Sequence, residues 1–388
     1  MQARHQSKRG PGILYSARFR GLAAQMLVLA LTLLLFGFFA RNAVLNTSLR
    51  SIGLGFDFLW REAGFGIGQS IIPFAPTDTY LKAFVVGIIN SIRVSLVGIV
   101  LATLLGFLIG AGAQSTNGSI RRLSVLYVEI FRNIPLLLQL YFWYSIVLNL
   151  FPAERAALSI FGKIFVSKAG VAMPGIVFGV SDILIVTCLI LLATVIWLRG
   201  RKLAVTRGTA LPRSTFWACT LIVFSGCLWI YLLPVEHPEF KKFGFVGGID
   251  VSAEFMAVAF GLSTYTASFI AEIVRAGILA VPSGQLEAAK SLGLTPSQTL
   301  FLVRIPQALR LIIPPLTSQY LNLTKNSSLA VAIGYADLVS VANTSLTQTA
   351  RAIECITIVM AVYLMLSLLT SLGMNLYNRR LMLKVGRR

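Results

Sequence analysis

Long apolar runs alternate with short polar segments along most of the chain. A transmembrane helix needs about 20 mostly apolar residues, and only a helix satisfies its backbone hydrogen bonds within one such segment. The pattern therefore predicts an all-α, polytopic membrane protein with about eight transmembrane helices. They are predicted at roughly 22–40, 83–113, 124–149, 183–198, 216–234, 254–275, 312–334 and 353–376.

The composition agrees with a protein whose solvent is largely lipid. Of 388 residues, 56% are hydrophobic and only 12% are charged, whereas a soluble domain carries about 25% charged residues. The net charge of +20 is compatible with nucleic-acid binding, but the basic residues lie between apolar runs and not on one polar domain. We therefore expect membrane lipid as a partner and no nucleic acid.

The placement of lysine and arginine predicts the orientation, because cytoplasmic loops carry an excess of both. With the N-terminus inside, the two termini and the second, fourth and sixth connections between predicted spans hold most of the basic residues. Both termini are thus predicted to be cytoplasmic, which requires an even number of spans. The run at 22–40 is too long for a signal-peptide core, and it is predicted to be a retained helix.

No motif for bond-making chemistry is present. The sequence lacks a GxxxxGK[ST] phosphate loop and the GxSxG and HExxH signatures. Its four cysteines lie in apolar runs without CxxC spacing, and His5 and His237 are too far apart for a metal site. We predict no catalytic residue, no metal and no cofactor, so the chain is not expected to be an enzyme.

One predicted cytoplasmic loop, 277–311, carries helix signals of its own. Pro282 ends the preceding helix, Ser283 is a predicted N-cap, and Gly293 offers a left-handed residue at the end of a short helix. Thr295 and Gln298 then form a predicted capping box at the start of a second helix. The first helix has small and apolar residues that suit docking into a partner's groove. A structured connector between two spans would show the same signals.

The same loop resembles the EAA motif of permease subunits of ABC importers. Glu287, Ala288 and Ala289 are followed after three residues by Gly293, and Pro306 closes a Val-x-Ile-Pro run nine residues later. Val303 and Ile305 are conservative replacements for the motif's isoleucine and leucine. The resemblance implies that this loop contains the coupling helix, which binds a separate ATP-binding ABC subunit. ATP hydrolysis would then reside in that partner.

Flanking sequences are similar to the polar amino-acid (histidine/glutamine-type) branch of this family, at residues 90–96, 129–137, 268–277 and 323–334. The chain also resembles the larger permeases of general L-amino acid importers, which carry extra spans. This implies a type I permease core in a bacterial inner membrane, an amino-acid substrate, a periplasmic solute-binding protein and a second permease subunit, which would form a heterodimer.

The implied organisation has three parts. Residues 1–82 form a cytoplasmic tail, a first transmembrane helix and an outer interfacial segment. Residues 83–376 form the permease domain, with a core of 83–150 and 254–376 and inserted helices at 183–234. Residues 377–388 form a basic cytoplasmic tail.

Ionisable residues within spans are candidates for function, because their burial in lipid is costly. Lys325 lies about 16 Å along a helix from Pro314, near the middle of the bilayer. With Asn326 and Ser327 it is a candidate for the translocation path, where the lysine would attract a substrate carboxylate. Hydrogen bonding between helices is the alternative for such residues.

Two carboxylate–arginine pairs, Glu129 with Arg132 and Glu272 with Arg275, are spaced three residues apart. That spacing places the members of each pair on one helix face. Structural ion pairing is expected for both, and a gating role is the alternative.

A secondary transporter driven by an ion gradient is the main rival function. Such proteins show homologous halves with broken helices and carboxylates within spans. The sequence shows no such halves and few acidic residues in the apolar runs.

Overall fold

The computed structural model describes residues 17–49, 55–176, 180–207, 212–241 and 244–385. Residues 1–16 of the predicted N-terminal cytoplasmic tail and the last three residues of the predicted basic tail lie outside this part of the chain. Twelve α-helices lie within it: α1 (Ala17–Leu49), α2 (Tyr80–Gly112), α3 (Gly118–Asn133), α4 (Leu136–Leu150), α5 (Val180–Arg207), α6 (Arg213–Leu232), α7 (Ala253–Leu279), α8 (Ser283–Ser291), α9 (Pro296–Gln298), α10 (Ile305–Asn326), α11 (Leu338–Thr349) and α12 (Ala352–Val385).

Eight short strands accompany the helices in the described residues. They are β1 (Leu158–Ile160), β2 (Ile164–Ser167), β3 (Gly170–Met173), β4 (Gly175–Ile176), β5 (Val235–Glu236), β6 (Glu239–Lys241), β7 (Gly244–Val246) and β8 (Ile249–Ser252). β1, β2, β3 and β8 form one antiparallel sheet in that order, while β4 pairs with β5 and β6 with β7. The helical membrane fold is as predicted, and the strands are an addition that the apolar runs did not indicate.

A helix lies at each of the eight predicted spans. By length and composition, five helices in the described residues are able to cross a membrane, or six if a bent pair is one span. That pair is α3 and α4, between which the chain bends by 108°. The predicted single helix at 124–149 is therefore wrong. Pro135 forces Ile134 into an extended conformation and so ends α3.

Helices α2 and α7 form the centre of the bundle and run side by side. Their close approach depends on glycine: a Cβ atom at Gly106 would lie 2.6 Å from the Cβ of Ile270, and one at Gly110 would lie 2.7 Å from the Cβ of Val274. α4, α10 and α11 pack around this pair. The largest buried cluster includes Val94, Leu140, Leu262, Ile270, Leu323 and Tyr335.

We expect Gly106→Val to destabilise the folded subunit, since the added methyl groups meet Ile270 on a packed helix. Overpacking of this kind costs roughly 1–3 kcal/mol. The measurement is thermal unfolding of the purified subunit in detergent. Gly373→Val is the matched control, because a Cβ atom at Gly373 in α12 has no neighbour within 4 Å. Equal melting temperatures for the two variants would contradict the packing role of Gly106.

The two ends of the bundle differ in structure. We call the end at which α7 begins the sheet end, because β8 leads directly into α7 there through the N-cap Ser252. The opposite end carries α8, and we call it the loop end. The predicted insertion is anchored at the sheet end: β3 pairs with β8, and β4 pairs with β5, across the α5–α6 hairpin. α5 and α6 pack on each other, with Cys219 Sγ 3.7 Å from the carbonyl oxygen of Ala193.

Residues 55–79 cover the sheet end of α2, α11 and α12. Phe58 is fully buried there, although the sequence predicted an interfacial segment. Trp60 in the same 3₁₀ turn is exposed. Arg351 fixes the segment by donating to the carbonyl oxygen of Gly55 at 2.9 Å and by pairing with Asp57 at 3.1 Å. The segment is thus part of the folded bundle at this end.

A second ion pair marks the entrance of the chain into α2. The Lys82 ammonium lies 2.8 Å from a carboxylate oxygen of Asp78, one turn earlier. This hydrogen bond holds the pKa of Asp78 below its usual range, and a bond from the backbone N–H of Ala75 adds to the effect. Thr79 caps the helix by accepting from the backbone N–H of Lys82.

Candidate functional site

The loop end carries the helix that contains the EAA-like residues. α8 begins at Ser283, and its N-cap is Pro282, which makes no side-chain cap bond. The predicted N-cap at Ser283 is therefore wrong by one position, because the proline already holds the extended conformation that an N-cap requires. The helix ends in a Schellman motif. Leu294 N–H donates to the carbonyl oxygen of Ala289, Gly293 N–H donates to that of Lys290, and Gly293 has φ +76°.

The second helix begins with the predicted capping box. The Thr295 hydroxyl accepts from the backbone N–H of Gln298, and the Gln298 side chain accepts from the backbone N–H of Thr295. A π-helical segment, Thr299–Arg304, then leads into α10, where Pro306 occupies the first turn. Gln307 donates to Gln285 at 3.3 Å and ties this helix to α8. The loop is therefore a fixed helix–turn–helix unit.

The EAA-like residues divide between the two faces of α8. Ala289 is buried, and α8 packs on the π-helical segment. Glu287, Ala288 and Gly293 are exposed, as is Pro306. Leu292 is 81% exposed and takes no part in the core. Leu292, Ala288 and Glu287 thus present an apolar, a small and a negatively charged side chain on a short, rigid helix. This is the arrangement of a docking surface. This outer set of residues, Glu287, Ala288 and Leu292, is called the α8 face below.

Lys325 lies deep in the bundle along its axis. The contacts of Gly98 in α2 show which part of α7 lies beside this end of α10. A Cβ atom at Gly98 would lie 3.2 Å from Leu323 of α10, and the Ser263 hydroxyl of α7 donates to the Gly98 carbonyl oxygen at 3.5 Å. Ser263 is about 15 Å along α7 from its start at the sheet end. Lys325 follows Leu323 by two residues, at the end of α10. The lysine is therefore level with the part of α7 that crosses a hydrocarbon layer of about 30 Å.

The side chain of Lys325 is exposed, and within the described residues its ammonium has no hydrogen-bond or ion-pair partner. Asn326 beside it is half-buried. Ser327 is fully buried and donates to the carbonyl oxygen of Thr324 at 2.8 Å. Of the three path candidates, Lys325 is thus exposed at the surface of the bundle, Asn326 is half-buried, and the Ser327 hydroxyl is engaged in the interior.

One of the two predicted carboxylate–arginine pairs is formed. The Arg275 Nε lies 3.0 Å from a carboxylate oxygen of Glu272. Arg132 instead places its guanidinium over the ring of Phe269, and the described structure contains no ion pair between it and Glu129. All four charged residues line a cavity of about 460 Å³ at the loop end, between α2, α3 and α7. The cavity is distinct from the Lys325 surface.

Sequence inspection did not single out a buried polar network at the sheet end. Asp337 is fully buried in the break before α11, where it accepts from the backbone N–H of Ser340 at 2.8 Å and from the Tyr363 hydroxyl at 3.4 Å. Ser91 of α2 accepts from the backbone N–H of Leu338. These bonds join α2, α11 and α12. An acidic residue preceding a helix is a readable N-cap signal, but its burial depends on the tertiary structure.

The chain is similar over nearly its full length to known permease proteins. The chain is 43% identical to the general L-amino acid transport system permease protein AapQ of Rhizobium johnstonii, over 95% of this chain and 94% of that protein. It is 45% identical to the putative amino-acid ABC transporter permease protein YhdX of Escherichia coli, over 98% and 99% of the two chains. A crystal structure of an amino acid ABC transporter with histidines is 22% identical, with a TM-score of 0.47, over 78% of this chain and 95% of that chain.

Most of the chain also matches a known protein family. The family of binding-protein-dependent transport system inner membrane components matches residues 98–383, which include the α8 face, Lys325 and the whole α5–α6 insertion. The match spans more than half of the chain, and two permeases are similar to it over nearly their full length. The chain therefore belongs to the family of inner membrane components of binding-protein-dependent transport systems.

Proposed function

We propose that this chain is the membrane-spanning permease subunit of an ATP-driven importer of amino acids. The observation that carries the proposal is the α8 face, a rigid and exposed docking surface on an EAA-like helix. An ATP-binding ABC subunit binds this face. The ATP-driven closure of the ATPase moves the bundle between inward-open and outward-open states. A partner shifts such an equilibrium only by binding the two states with different affinity.

The remaining assembly follows from the same proposal. A periplasmic solute-binding protein delivers the amino acid to the sheet end, and a second, different permease subunit completes the path. Both termini and the α8 face are cytoplasmic, in the inner membrane of a bacterium. The two relatives support an amino-acid cargo by their names. Glu287, Ala288, Ala289, Gly293 and Pro306 form the coupling loop, and Lys325, Asn326 and Ser327 are the candidates for the path.

Reconstitution in vesicles tests this function against the secondary-transport rival. The chain is purified with the subunits that accompany it, and uptake of radiolabelled amino acids is measured with ATP and with a nonhydrolysable analogue. We expect uptake only with ATP and only with the ATPase present. Uptake by the chain alone, driven by a proton or sodium gradient, would establish the rival function.

A further inference from the structure

The four-stranded sheet at the sheet end has one face built entirely of apolar residues. Directly paired residues of antiparallel strands share a face, and side chains alternate along each strand. The pairs Leu158–Val166, Val166–Val171 and Val171–Val251 therefore place one continuous row on the same side. The complete face consists of Leu158, Ile160, Ile164, Val166, Val171, Met173, Ile249 and Val251. We call it the apolar sheet face.

The inner half of this face covers the end of α4 and the start of α7. Val171 and Val251 pack against a cluster that contains Val147 near the end of α4 and Ala253 and Met256 at the start of α7. The apolar sheet face is therefore turned toward the bundle, and so toward the bilayer in which α4 and α7 lie. This direction is independent of which side of the membrane the sheet end occupies.

The outer half of the face extends beyond the bundle and is uncovered in the described structure. Leu158 is 57% exposed and Ile160 45% exposed, both on the edge strand β1. The opposite face is covered instead by the β6–β7 hairpin, where Phe165 stacks on Phe245 with ring centroids 4.7 Å apart. The side of the sheet that looks away from the bilayer is thus filled, and the side that looks toward it is open.

The turn between β1 and β2 projects an aromatic ring from the same edge. Phe161 has φ +53° and Gly162 has φ +64°, and the backbone N–H of Lys163 donates to the carbonyl oxygen of Ile160 at 3.2 Å. These angles define a type I′ turn, whose first central position favours asparagine, aspartate or glycine. A phenylalanine there is strained, and its ring is 94% exposed. The strain has no compensation from contacts within the described residues.

We propose that the apolar edge of this sheet lies on the surface of the lipid bilayer, with Phe161 and β1 embedded at the headgroup boundary. The end of α4 leads into it with exposed apolar residues: Leu148 and Leu150 are exposed there, and β1 begins after a short connection. Aromatic rings favour the headgroup boundary. Arg155, Lys163 and Lys168 are exposed around the hairpin, where they suit anionic phospholipid headgroups. The sheet thus anchors the inserted segment to the membrane.

Photocrosslinking tests this placement in the intact subunit. The photoreactive residue p-benzoylphenylalanine replaces Phe161 in one variant and Phe240 in a second. Phe240 is the matched control, because it lies on the β6–β7 hairpin against Phe245, on the covered side of the sheet. Both variants are purified with their accompanying subunits, reconstituted in nanodiscs of phosphatidylethanolamine and phosphatidylglycerol, irradiated and analysed by mass spectrometry.

We expect a phospholipid adduct at position 161 and none at position 240. An adduct between position 161 and another protein, such as a solute-binding protein added to the nanodiscs, would overturn the proposal and assign the edge to protein docking. Equal lipid labelling at both positions would overturn it too, as would the absence of a lipid adduct at 161. None of these outcomes depends on transport activity.

A second variant is a control for misfolding caused by the bulky p-benzoylphenylalanine. Phe161→Trp places a fluorescent ring in the same turn, and the wild-type signal of the five native tryptophans is subtracted. Lipids brominated near the headgroup are expected to quench this fluorescence more than lipids brominated at the chain end. Equal emission in brominated and unbrominated lipid would contradict the proposal.

Discussion

Leu292→Asp is expected to lower ATP-driven uptake by roughly a hundredfold. Leu292 is 81% exposed on the α8 face and contributes nothing to the core, so the folded subunit does not depend on its side chain. In the proposed complex the leucine would fill an apolar site of the ATPase, and an aspartate would bring an unpaired carboxylate into that site. Such burial costs several kcal/mol, and each 1.4 kcal/mol corresponds to a tenfold loss of affinity.

The measurement combines copurification of the ATPase subunit with uptake in proteoliposomes. Val246→Asp is the matched control: it introduces the same charge at a 54% exposed apolar residue of β7, at the sheet end. We expect the control to bind the ATPase and to transport normally. Normal uptake by Leu292→Asp with the ATPase still bound would show that the α8 face is only a connector between spans.

The sequence predicted the loop in detail because its signals are local. The Thr295–Gln298 capping box and the left-handed Gly293 each involve neighbours within a few residues, and the structure contains both. Only the N-cap differs, since Pro282 takes the position expected for Ser283. Short-range hydrogen bonds determine these features, so they form independently of the rest of the fold.

The strands were beyond prediction for the opposite reason. Each has two to four residues, too few to establish an alternating pattern. Their pairing joins distant parts of the chain: Val171 lies opposite Val251, with the whole α5–α6 hairpin between them. Only the folded chain reveals that scattered apolar residues in two loops form one continuous face.

The bend between α3 and α4 was only partly predictable from the sequence. Its signal, Ile134 before Pro135, is visible in the sequence, but apolar residues continue on both sides of it. Hydropathy averages over a window and joins the two helices into one span. The proline geometry overrides that average, which is why the break appears in a run that reads as a single apolar segment.

The surroundings of Lys325 likewise depend on tertiary structure. Its depth was predictable from the distance to Pro314, whereas its exposure was not. Ser327, two residues later, has the same polar character in the sequence but is fully buried. The turn from α10 into a 3₁₀ segment at this point directs the two side chains differently. Among the path candidates, the structure therefore favours Lys325 for the decisive test.

Lys325→Met is expected to abolish uptake while the subunit still assembles. The ammonium has no partner in the described residues, so its removal breaks no ion pair of the folded chain. A substrate carboxylate about 4 Å away would lose an attraction of roughly 4 kcal/mol at an effective dielectric constant of 20. Lys325→Arg retains the charge and is expected to retain part of the uptake. Lys241→Met, at an exposed residue of β6, is the matched control.

The measurement separates the path from a merely structural role. Uptake and substrate-stimulated ATP hydrolysis are recorded in proteoliposomes, and the melting temperature of the purified complex is recorded in parallel. A residue that only joins helices by hydrogen bonds would lower the melting temperature when replaced by methionine, and arginine would not restore it selectively. Normal uptake by Lys325→Met would remove the lysine from the path, because transport would then not need its positive charge.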